Sequence, residues 1–248
     1  VYSVRNGENN YYLVSAGAWQ AYDHDYLVKA AEDFMAETGK LVIVQDVTTQ
    51  WGVFAIAGPK TRDVLGQIIR DAEPETALSN KRFPWLSARQ IELGMCPVNA
   101  IRVAYTGELG WELHHPIEMQ NYLWDLLMKA GEAHGLKPVG ARAQNWLRQE
   151  KSYRAFGNEL GRDATPAEAD LPRFIDLSKE FYGKAEMEAK GIRSKCVTLL
   201  VDGPADADPW GREALYTPEG VRVGRLTSGG YSVAFGKSIG MGLSLIHI

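Results

Sequence analysis

One carboxylate stands inside an apolar stretch that has the composition of a β-strand. Glu112 lies between Trp111 and Leu113, directly after a turn bracketed by Gly107 and Gly110. An ionisable group among apolar strand residues must face water, find a partner or bind a ligand. A solvated strand residue is the simplest interpretation, because glutamate is mostly exposed in proteins. The alternative is that Glu112 accepts charge-assisted hydrogen bonds from an N–H pair at the edge of a heterocycle.

Tyr105, on the other side of the same turn, is the second candidate binding residue. If the strands pair so that Tyr105 faces Trp111, Glu112 projects from the opposite face of the sheet. A shared pocket requires that Tyr105 and Glu112 pair across the turn, or that a bulge forms near Gly110. The sequence leaves both registers open.

Arg142 is the third candidate and lies in the first turn of a predicted helix, where the helix dipole slightly disfavours a cation. With Asn145 and Gln149 it forms a polar stripe with i, i+3, i+7 spacing. The stripe is typical of a solvated helix face. Its functional alternative is a guanidinium that binds a carboxylate.

Other common chemical motifs are missing from the sequence. His114 and His115 are adjacent in a predicted strand and therefore point to opposite faces. No HxH, HExxH or cysteine–histidine cluster occurs, so we predict no metal site. The glycine-rich segment 228–231 does not open a helix and gives no nucleotide-binding signal, and there is no nucleophile elbow.

Hydrophobic periodicity and turn residues predict an α+β protein. Apolar patterns indicate helices followed by returning strands, in a split β-α-β layout with helices on one face of a mixed sheet. After residue 190 the pattern changes to short strands at regular spacing, typical of a small sandwich or barrel. We therefore predict one region over 1–190 and a second over 191–248. The predicted strands are 11–15, 41–44, 51–57, 91–95, 98–105, 196–201, 214–217, 221–226 and 238–243, and the predicted helices are 21–38, 60–70, 117–133 and 141–151.

Composition excludes several classes of partner and compartment. The 248 residues carry a net charge of −4 with scattered cations, which argues against nucleic acid or an anionic membrane as the main partner. No apolar run approaches the roughly 20 residues needed to span a bilayer. Two distant cysteines indicate a reducing compartment, the cytoplasm or a mitochondrial matrix. The chain opens on Val1 and closes on an apolar tail, 243–248, so we expect a fragment of a longer protein.

An ordered set of motifs resembles the folate-binding aminomethyltransferase family, that of the glycine-cleavage T-protein. The sequence around Trp111 and Tyr153 is most similar to the carboxy-terminal half of dimethylglycine and sarcosine dehydrogenases. No single motif is decisive, but the order is specific. The motifs are Ala57–Lys60, Tyr105–Glu112, Gly140–Arg142, Leu147–Lys151, Tyr153–Asn158, Thr165–Glu168 and Thr227–Gly230.

This resemblance implies a cloverleaf of split β-α-β domains around tetrahydrofolate, followed by a small C-terminal β-barrel. Glu112 would hold the pterin edge, Tyr105 would line the same pocket and Arg142 would contact a carboxylate of substrate or cofactor. The small-molecule substrate would be an N-methyl amine or an aminomethyl donor, whose one-carbon unit passes to folate. A flavin domain with FAD would lie upstream in the same polypeptide.

The sequence also departs from the family pattern. The family's catalytic acidic residue would precede Val1, and a late arginine is missing. Asn145 stands where an acidic residue is common, and Asp170 where a glycine is usual. We therefore expect this chain alone to be inactive, which a methylenetetrahydrofolate assay would test.

Three functional hypotheses remain open from the sequence. The first is the folate-binding half of a flavin-linked dimethylglycine or sarcosine dehydrogenase. The second is a free-standing glycine-cleavage T-protein or another folate-dependent demethylase. The third is a non-catalytic folate-binding or assembly module.

Overall fold

A computed structural model describes residues 2–204 and 206–245 and divides the chain into two compact units. The first unit comprises the described residues of Val1–Ala104 and Leu109–Lys137. The second comprises Tyr105–Glu108 together with the described residues from Pro138 onward. Residues 105–108 therefore belong to the second unit, although the residues on either side of them belong to the first.

Within the described residues, the first unit contains a five-stranded sheet, a separate two-stranded hairpin and four α-helices. Its strands are β1 (Tyr2–Arg5), β2 (Tyr11–Val14), β3 (Trp51–Ala57), β4 (Ile69–Arg70), β5 (Ala88–Leu93), β6 (Cys96–Ile101) and β7 (Gly110–Pro116), and its helices are α1 (Gln20–Thr38), α2 (Thr61–Gly66), α3 (Pro74–Ala77) and α4 (Gln120–Gly131). The hairpin pairs β1 with β2, and the sheet has the order β3-β7-β6-β5-β4. Each neighbouring pair in the sheet is antiparallel.

Alternation along β7 gives the two faces of the sheet different roles. Trp111 and Leu113 are fully buried in the hydrophobic core, together with apolar residues of α2 and α4. Glu112 and His114 project from the other face, since successive strand residues point in opposite directions. One face of this strand therefore packs the core, and the other carries the polar candidates.

Several predicted elements of the first unit are confirmed, and others are wrong. The helix predicted over 21–38 is α1, which ends where Gly39 adopts a left-handed conformation. Residues 41–44 do not form a strand: Leu41 and Ile43 are 79% and 78% exposed, and an apolar run becomes a strand only where it finds a ladder partner. We expected a mixed sheet, but every neighbouring pair of strands is antiparallel. Neighbouring strands are joined either by a short hairpin or by a long connection that brings the chain back in the opposite direction.

Two predicted boundaries in this unit also move. The strand predicted over 98–105 ends at Ile101, so that residues 102–109 form a connection. The helix predicted over 60–70 stops at Gly66, and Ile69–Arg70 instead pairs with β5 at the edge of the sheet. In each case a strand partner, not the local pattern, fixes where the element ends.

The second unit packs a helix against a four-stranded antiparallel sheet. Its elements are α5 (Ala141–Glu150), α6 (Lys184–Lys190), β8 (Lys195–Val201), β9 (Ala214–Tyr216), β10 (Arg222–Ser232) and β11 (Lys237–Ser244). The sheet has the order β8-β11-β10-β9, and α5 contacts β10 and β11. All four predicted C-terminal strands are present. Strand β10 runs further than 221–226 because it pairs with β11 up to Ser232, with an irregularity after Leu226.

The α+β class predicted from the sequence is confirmed by this combination of sheets and helices. The boundary predicted near residue 190 stays a prediction. Val1 and the last residues of the apolar tail, 246–248, lie outside the described residues. Among the helices of the described chain, none is both long and apolar enough to cross a lipid bilayer.

Candidate functional site

The register of β6 and β7 places Glu112 on a regular ladder. Ile101 pairs with Glu112, and Asn99 pairs with His114. Both registers considered for Tyr105 are therefore wrong, because Tyr105 lies in the connection 102–109, outside the ladder. Gly110 packs where a Cβ atom would come within 2.6 Å of the backbone oxygen of Ile56. Gly107 has a positive φ of 71°, as a turn glycine often does.

Glu112 has one protein-bound oxygen and one open oxygen. The Tyr2 hydroxyl donates a hydrogen bond to Oε2, and Nε2 of His114 lies 3.3 Å from the same atom. Within the described residues, Oε1 accepts no hydrogen bond. The Glu112 side chain is 25% exposed, so this oxygen belongs to a half-buried carboxylate that solvent or a ligand can reach.

His114 is the partner that sequence reasoning missed. Its side chain is 1% exposed, and its Nδ1 lies 3.0 Å from the hydroxyl of Tyr12. The Tyr12 ring also meets the imidazole edge to face at 5.5 Å. Because a carboxylate only accepts, the neutral tautomer that satisfies these groups carries its proton on Nε2 and accepts from Tyr12 at Nδ1. The i, i+2 spacing of Glu112 and His114 was the available signal, since it places both on one strand face.

The surroundings keep Glu112 ionised and the two tyrosines protonated. Burial opposes ionisation of Glu112, but the hydrogen bonds from His114 and Tyr2 outweigh it and hold the pKa of Glu112 below its ordinary value. Burial, the hydrogen bond to Glu112 and its charge raise the pKa of Tyr2. Burial and the charge of Glu112 likewise raise the pKa of Tyr12. Glu112 is therefore the negatively charged member of the cluster, and the hydroxyl groups of Tyr2 and Tyr12 stay neutral.

His115 points to the opposite face, as predicted. It is fully buried, its Nδ1 lies 2.9 Å from the backbone oxygen of Leu113, and its ring stacks on Phe54 at 4.8 Å. Its Nε2 has no hydrogen-bond partner among the described residues. Its role is packing within the apolar core, and it does not take part in the Glu112 cluster.

Tyr105 is held at the surface of the second unit. Its hydroxyl donates to the backbone oxygen of Arg154 at 3.0 Å, and its ring stacks near that of Tyr153 with centroids 6.4 Å apart. The side chain is partly exposed, at 38% for the residue. Tyr105 and Tyr153 thus form an aromatic pair whose hydroxyl end is already anchored.

Arg142 lies between two indole rings. Its guanidinium carbon is 5.1 Å from the ring centroids of both Trp146 and Trp210, a cation–π arrangement on two sides. It also pairs with Asp208 at 3.4 Å, although its side chain remains 61% exposed. A carboxylate ligand at Arg142 therefore has to compete with Asp208 or share the guanidinium with it.

The polar stripe predicted beside Arg142 is not a solvated face. Gln149 is fully buried and donates to the backbone oxygen of Gly229 at 3.1 Å. Asn145 accepts two hydrogen bonds from Arg148, which pairs with Glu159 at 2.7 Å while both side chains are completely buried. Gln149 therefore attaches α5 to β10, and Asn145 holds the buried Arg148 in place. Arg142 takes no part in these structural contacts.

The three predicted binding residues are divided between the two units. Glu112 belongs to the first unit, and Tyr105 and Arg142 belong to the second, so a pocket lined by all three stays a prediction. Within the second unit, Tyr105 and Arg142 have different sets of neighbours. Among the described residues no group of three histidine, cysteine or acidic side chains could hold a metal ion. The chemistry that Glu112 itself supports is binding of an N–H donor by a fixed, charged acceptor.

Comparison with protein families gives two matches that follow one another along the chain. The model described as "GCVT N-terminal domain" matches residues 1–179. The model described as "Glycine cleavage T-protein C-terminal barrel domain" matches residues 195–244. Together they cover most of the sequence.

Individual relatives carry two kinds of name. The chain is 38% identical over 215 residues to the human mitochondrial dimethylglycine dehydrogenase, a match that covers 84% of this chain and 24% of the human protein. It is 32% identical to an aminomethyltransferase of Caldanaerobacter subterraneus, covering 95% of this chain and 60% of that one. The crystal structure of the glycine cleavage system aminomethyltransferase T from Bartonella henselae shares the fold, with a TM-score of 0.75 at 24% identity over 96% of this chain and 61% of that chain.

Proposed function

Since this chain belongs to the glycine cleavage T-protein family, we propose that it binds tetrahydrofolate and serves in folate-dependent one-carbon transfer. The family resemblance inferred from the sequence motifs is confirmed. The chain spans about a quarter of the human dimethylglycine dehydrogenase and 60% of the aminomethyltransferase it matches. Substrate and overall reaction are therefore part of the proposal.

The observation that carries this proposal is the open oxygen of Glu112. A half-buried carboxylate is kept ionised by Tyr2 and His114 on one oxygen, while Oε1 has no partner among the described residues. A ligand N–H group that donates to Oε1 would complete the hydrogen bonding of this carboxylate. The edge of a reduced pterin supplies N–H groups of this kind, and the charge on the acceptor strengthens the bond.

The residues present fit one such donor better than two. We expected Glu112 to accept two hydrogen bonds from a pair of ligand N–H groups. A pair that places one donor on each oxygen meets an Oε2 that already accepts from Tyr2 and His114, which fills its two acceptor positions. When bound, tetrahydrofolate supplies the nucleophilic nitrogen that captures a one-carbon unit. Glu112 would bind and orient it, and the buried Tyr12–His114 pair would keep Glu112 in place.

Tyr105 and Arg142 retain supporting roles in the proposal. The exposed part of the Tyr105–Tyr153 pair provides an aromatic surface on which a planar ring or an aromatic amide can lie. Arg142 provides N–H donors for a carboxylate, with Asp208 as its partner when none is bound. The proposal depends less on these two residues than on Glu112. Glu112 is a partly buried charge with one oxygen that accepts no hydrogen bond in the described structure, and neither Tyr105 nor Arg142 has such an atom.

We further propose that the substrate is an N-methyl amine such as dimethylglycine or sarcosine, oxidised by an FAD-containing half of a longer polypeptide. The relatives that carry these dehydrogenase names support this choice over a free-standing aminomethyltransferase, because the human match has the higher identity. The mitochondrial matrix or the cytoplasm is the proposed location. A non-catalytic folate-binding module is the remaining candidate, and it would bind folate at the same Glu112.

Binding of tetrahydrofolate to the whole chain tests the proposal. Isothermal titration calorimetry with tetrahydrofolate under anaerobic, reducing conditions should show binding by the parent chain. Glu112→Gln keeps the shape of the side chain but removes its charge, and should weaken binding about 10- to 100-fold, as expected for a lost hydrogen bond to a charged group.

A matched control separates this effect from a change in net charge. Glu118 is an exposed carboxylate in the same unit, so Glu118→Gln should bind like the parent. The proposal fails if the parent chain shows no tetrahydrofolate binding, or if Glu112→Gln and Glu118→Gln bind equally well.

A further inference from the structure

We propose that Arg62, Arg102 and Asn80 of the first unit form a binding site for a small oxyanion, a carboxylate or a phosphate group. Arg62 lies in α2, Asn80 lies between α3 and β5, and Arg102 follows β6. The proposal rests on two guanidinium groups that converge on one neutral oxygen. It does not depend on folate binding at Glu112.

The two guanidinium groups share the side-chain oxygen of Asn80. Nη2 of Arg62 lies 2.5 Å and Nη2 of Arg102 lies 2.7 Å from Oδ1. Two cations held on one oxygen repel each other, and the neighbouring Arg62 helps to lower the pKa of Arg102, after burial, which lowers it most. The amide oxygen occupies the position that an anion oxygen would take, but it brings no negative charge.

A second arginine pair in the same unit shows what normally fills such a position. Arg82 and Arg89 converge on Asp71, at 3.0 Å and 3.9 Å, so that a carboxylate bridges them. Among the described residues, no aspartate or glutamate oxygen lies within salt-bridge distance of Arg62 or Arg102. The charge of Arg82 and Arg89 is therefore compensated by Asp71, whereas that of Arg62 and Arg102 is left for a ligand to compensate.

Unused donors remain around the shared oxygen. Arg62 also donates through Nε to the backbone oxygen of Leu78 at 2.8 Å, and Arg102 donates through Nη1 to that of Phe83 at 2.5 Å. Each guanidinium has five N–H groups, so more than half of the ten are still free in the described structure. These backbone contacts fix both groups in place, and a fixed fork of N–H donors suits the paired oxygens of a carboxylate or phosphate.

The site lies on the core side of β7, away from Glu112. Both guanidinium groups lie over the ring of Trp111, at 5.9 Å and 5.5 Å, and Trp111 points to the opposite face from its neighbour Glu112. The buried N–H group of Trp111 has no acceptor among the described residues. An anion here would therefore be separate from a ligand held by Glu112.

Reciprocal substitutions at the two bridging positions test the site. Inorganic phosphate and glutarate are titrated into the whole chain at constant ionic strength, and binding is followed through the arginine Nε–H signals in NMR spectra. The parent should bind at least one of the two anions. Asn80→Asp should lose about tenfold or more in affinity, because the new carboxylate supplies the negative charge that the two guanidinium groups lack. Asp71→Asn should create a second anion response at Arg82 and Arg89.

The two anions and a further variant define the result. Tighter binding of glutarate identifies a carboxylate ligand, and tighter binding of phosphate identifies a phosphate. If Asp71→Asn does not fold, Arg62→Gln serves in its place and should also lose about tenfold or more. The proposal is overturned if the parent binds neither anion, or if Asn80→Asp binds them as tightly as the parent does.

Discussion

Glu112 in the first unit and Glu159 in the second are both carboxylates whose pKa lies below its ordinary value, but their hydrogen bonds differ. Glu159 is completely buried, and its two oxygens accept from Arg148, Thr227, Ser228 and the backbone of Ala155. Glu112 is partly exposed and leaves Oε1 open.

This difference separates a structural carboxylate from a binding one. Buried polar groups are almost always paired, and a fully satisfied ion pair contributes to the arrangement of the fold and leaves nothing for a ligand. A fixed carboxylate with protein donors on only one oxygen has only part of its desolvation cost offset by the protein. A ligand that donates a hydrogen bond to the other oxygen offsets the rest.

Removing the charge of Glu159 should have the largest effect on stability. Glu159→Gln leaves the guanidinium of Arg148 buried without a counter-charge, which costs about 3–5 kcal/mol when one partner of a buried pair is removed. Urea unfolding monitored by circular dichroism measures the loss. Glu112→Gln is the matched substitution in the first unit and should cost about 1 kcal/mol. Equal losses for the two variants would contradict the division into structural and binding carboxylates.

Acid should weaken the second unit through its satisfied carboxylates. Burial opposes the ionisation of Glu168, but Arg193 and the backbone N–H of Thr165 outweigh it and lower the pKa of Glu168 from 4.5 to about 2. A pKa depressed by folding gives stability that is complete above the unfolded-state pKa and is lost as the pH falls through the folded-state value. The free energy of unfolding should therefore decline as the pH falls from 4.5 toward 2.

Substitution identifies the group responsible for this acid sensitivity. Glu168→Gln should flatten the decline, when the free energy of unfolding is measured in urea at a series of pH values. Glu112→Gln should flatten it less, because Glu112 is more exposed and holds only part of its hydrogen bonds within the protein. A pH profile unchanged by Glu168→Gln would show that another group is responsible.

Replacing His114 should raise the pKa of Glu112. His114→Phe removes the hydrogen bond that lowers the pKa of Glu112 and leaves the effect of burial, so that pKa should rise. A carbon-13 NMR titration of the glutamate carboxyl groups measures it. Tyr12→Phe is the control, since Tyr12 contacts His114 rather than Glu112 and should shift the titration less. An unshifted Glu112 titration in His114→Phe would remove His114 from the proposed site.

The smallest effect is expected at Arg142, the exposed counterpart of buried Arg148. Its two indole contacts and its pairing with Asp208 are solvated interactions, which are each worth about 0.5–1 kcal/mol or less. Arg142→Gln should therefore lower the free energy of unfolding by about 1 kcal/mol, as measured in urea. A loss as large as that of Glu159→Gln would show that Arg142 supports the fold and does not serve mainly as a ligand contact.

Local sequence patterns predicted much of the fold, although not its strand ends. Helix α1 follows from apolar periodicity and its glycine terminus, and the C-terminal strands follow from regular turn spacing. Leu41–Val44 has the same apolar character as a strand but remains unpaired, because a strand requires a partner that its own residues cannot specify. The end of β6 at Ile101 was missed for the same reason, since its pairing with β5 and with β7 stops there.

The candidate site was predictable only in part. Glu112 was selected because a charge in an apolar strand needs a partner, and alternation would have added His114 to the same face. Tyr2 and Tyr12, which complete the cluster, come from positions more than 100 residues away, and nothing in their local sequence connects them to β7.

The sequence by itself determined the family, the alternation of β7 and the presence of one charge on its polar face, because motif order and strand periodicity are local properties. Only the tertiary structure decided that Glu112 keeps an open oxygen while Glu159 does not, and that Asp71 bridges one arginine pair while Asn80 is left between another. Hydrogen bonding at a carboxylate depends on groups brought together by packing. Whether a carboxylate can bind a ligand is therefore decided by long-range contacts and not by the residue type alone.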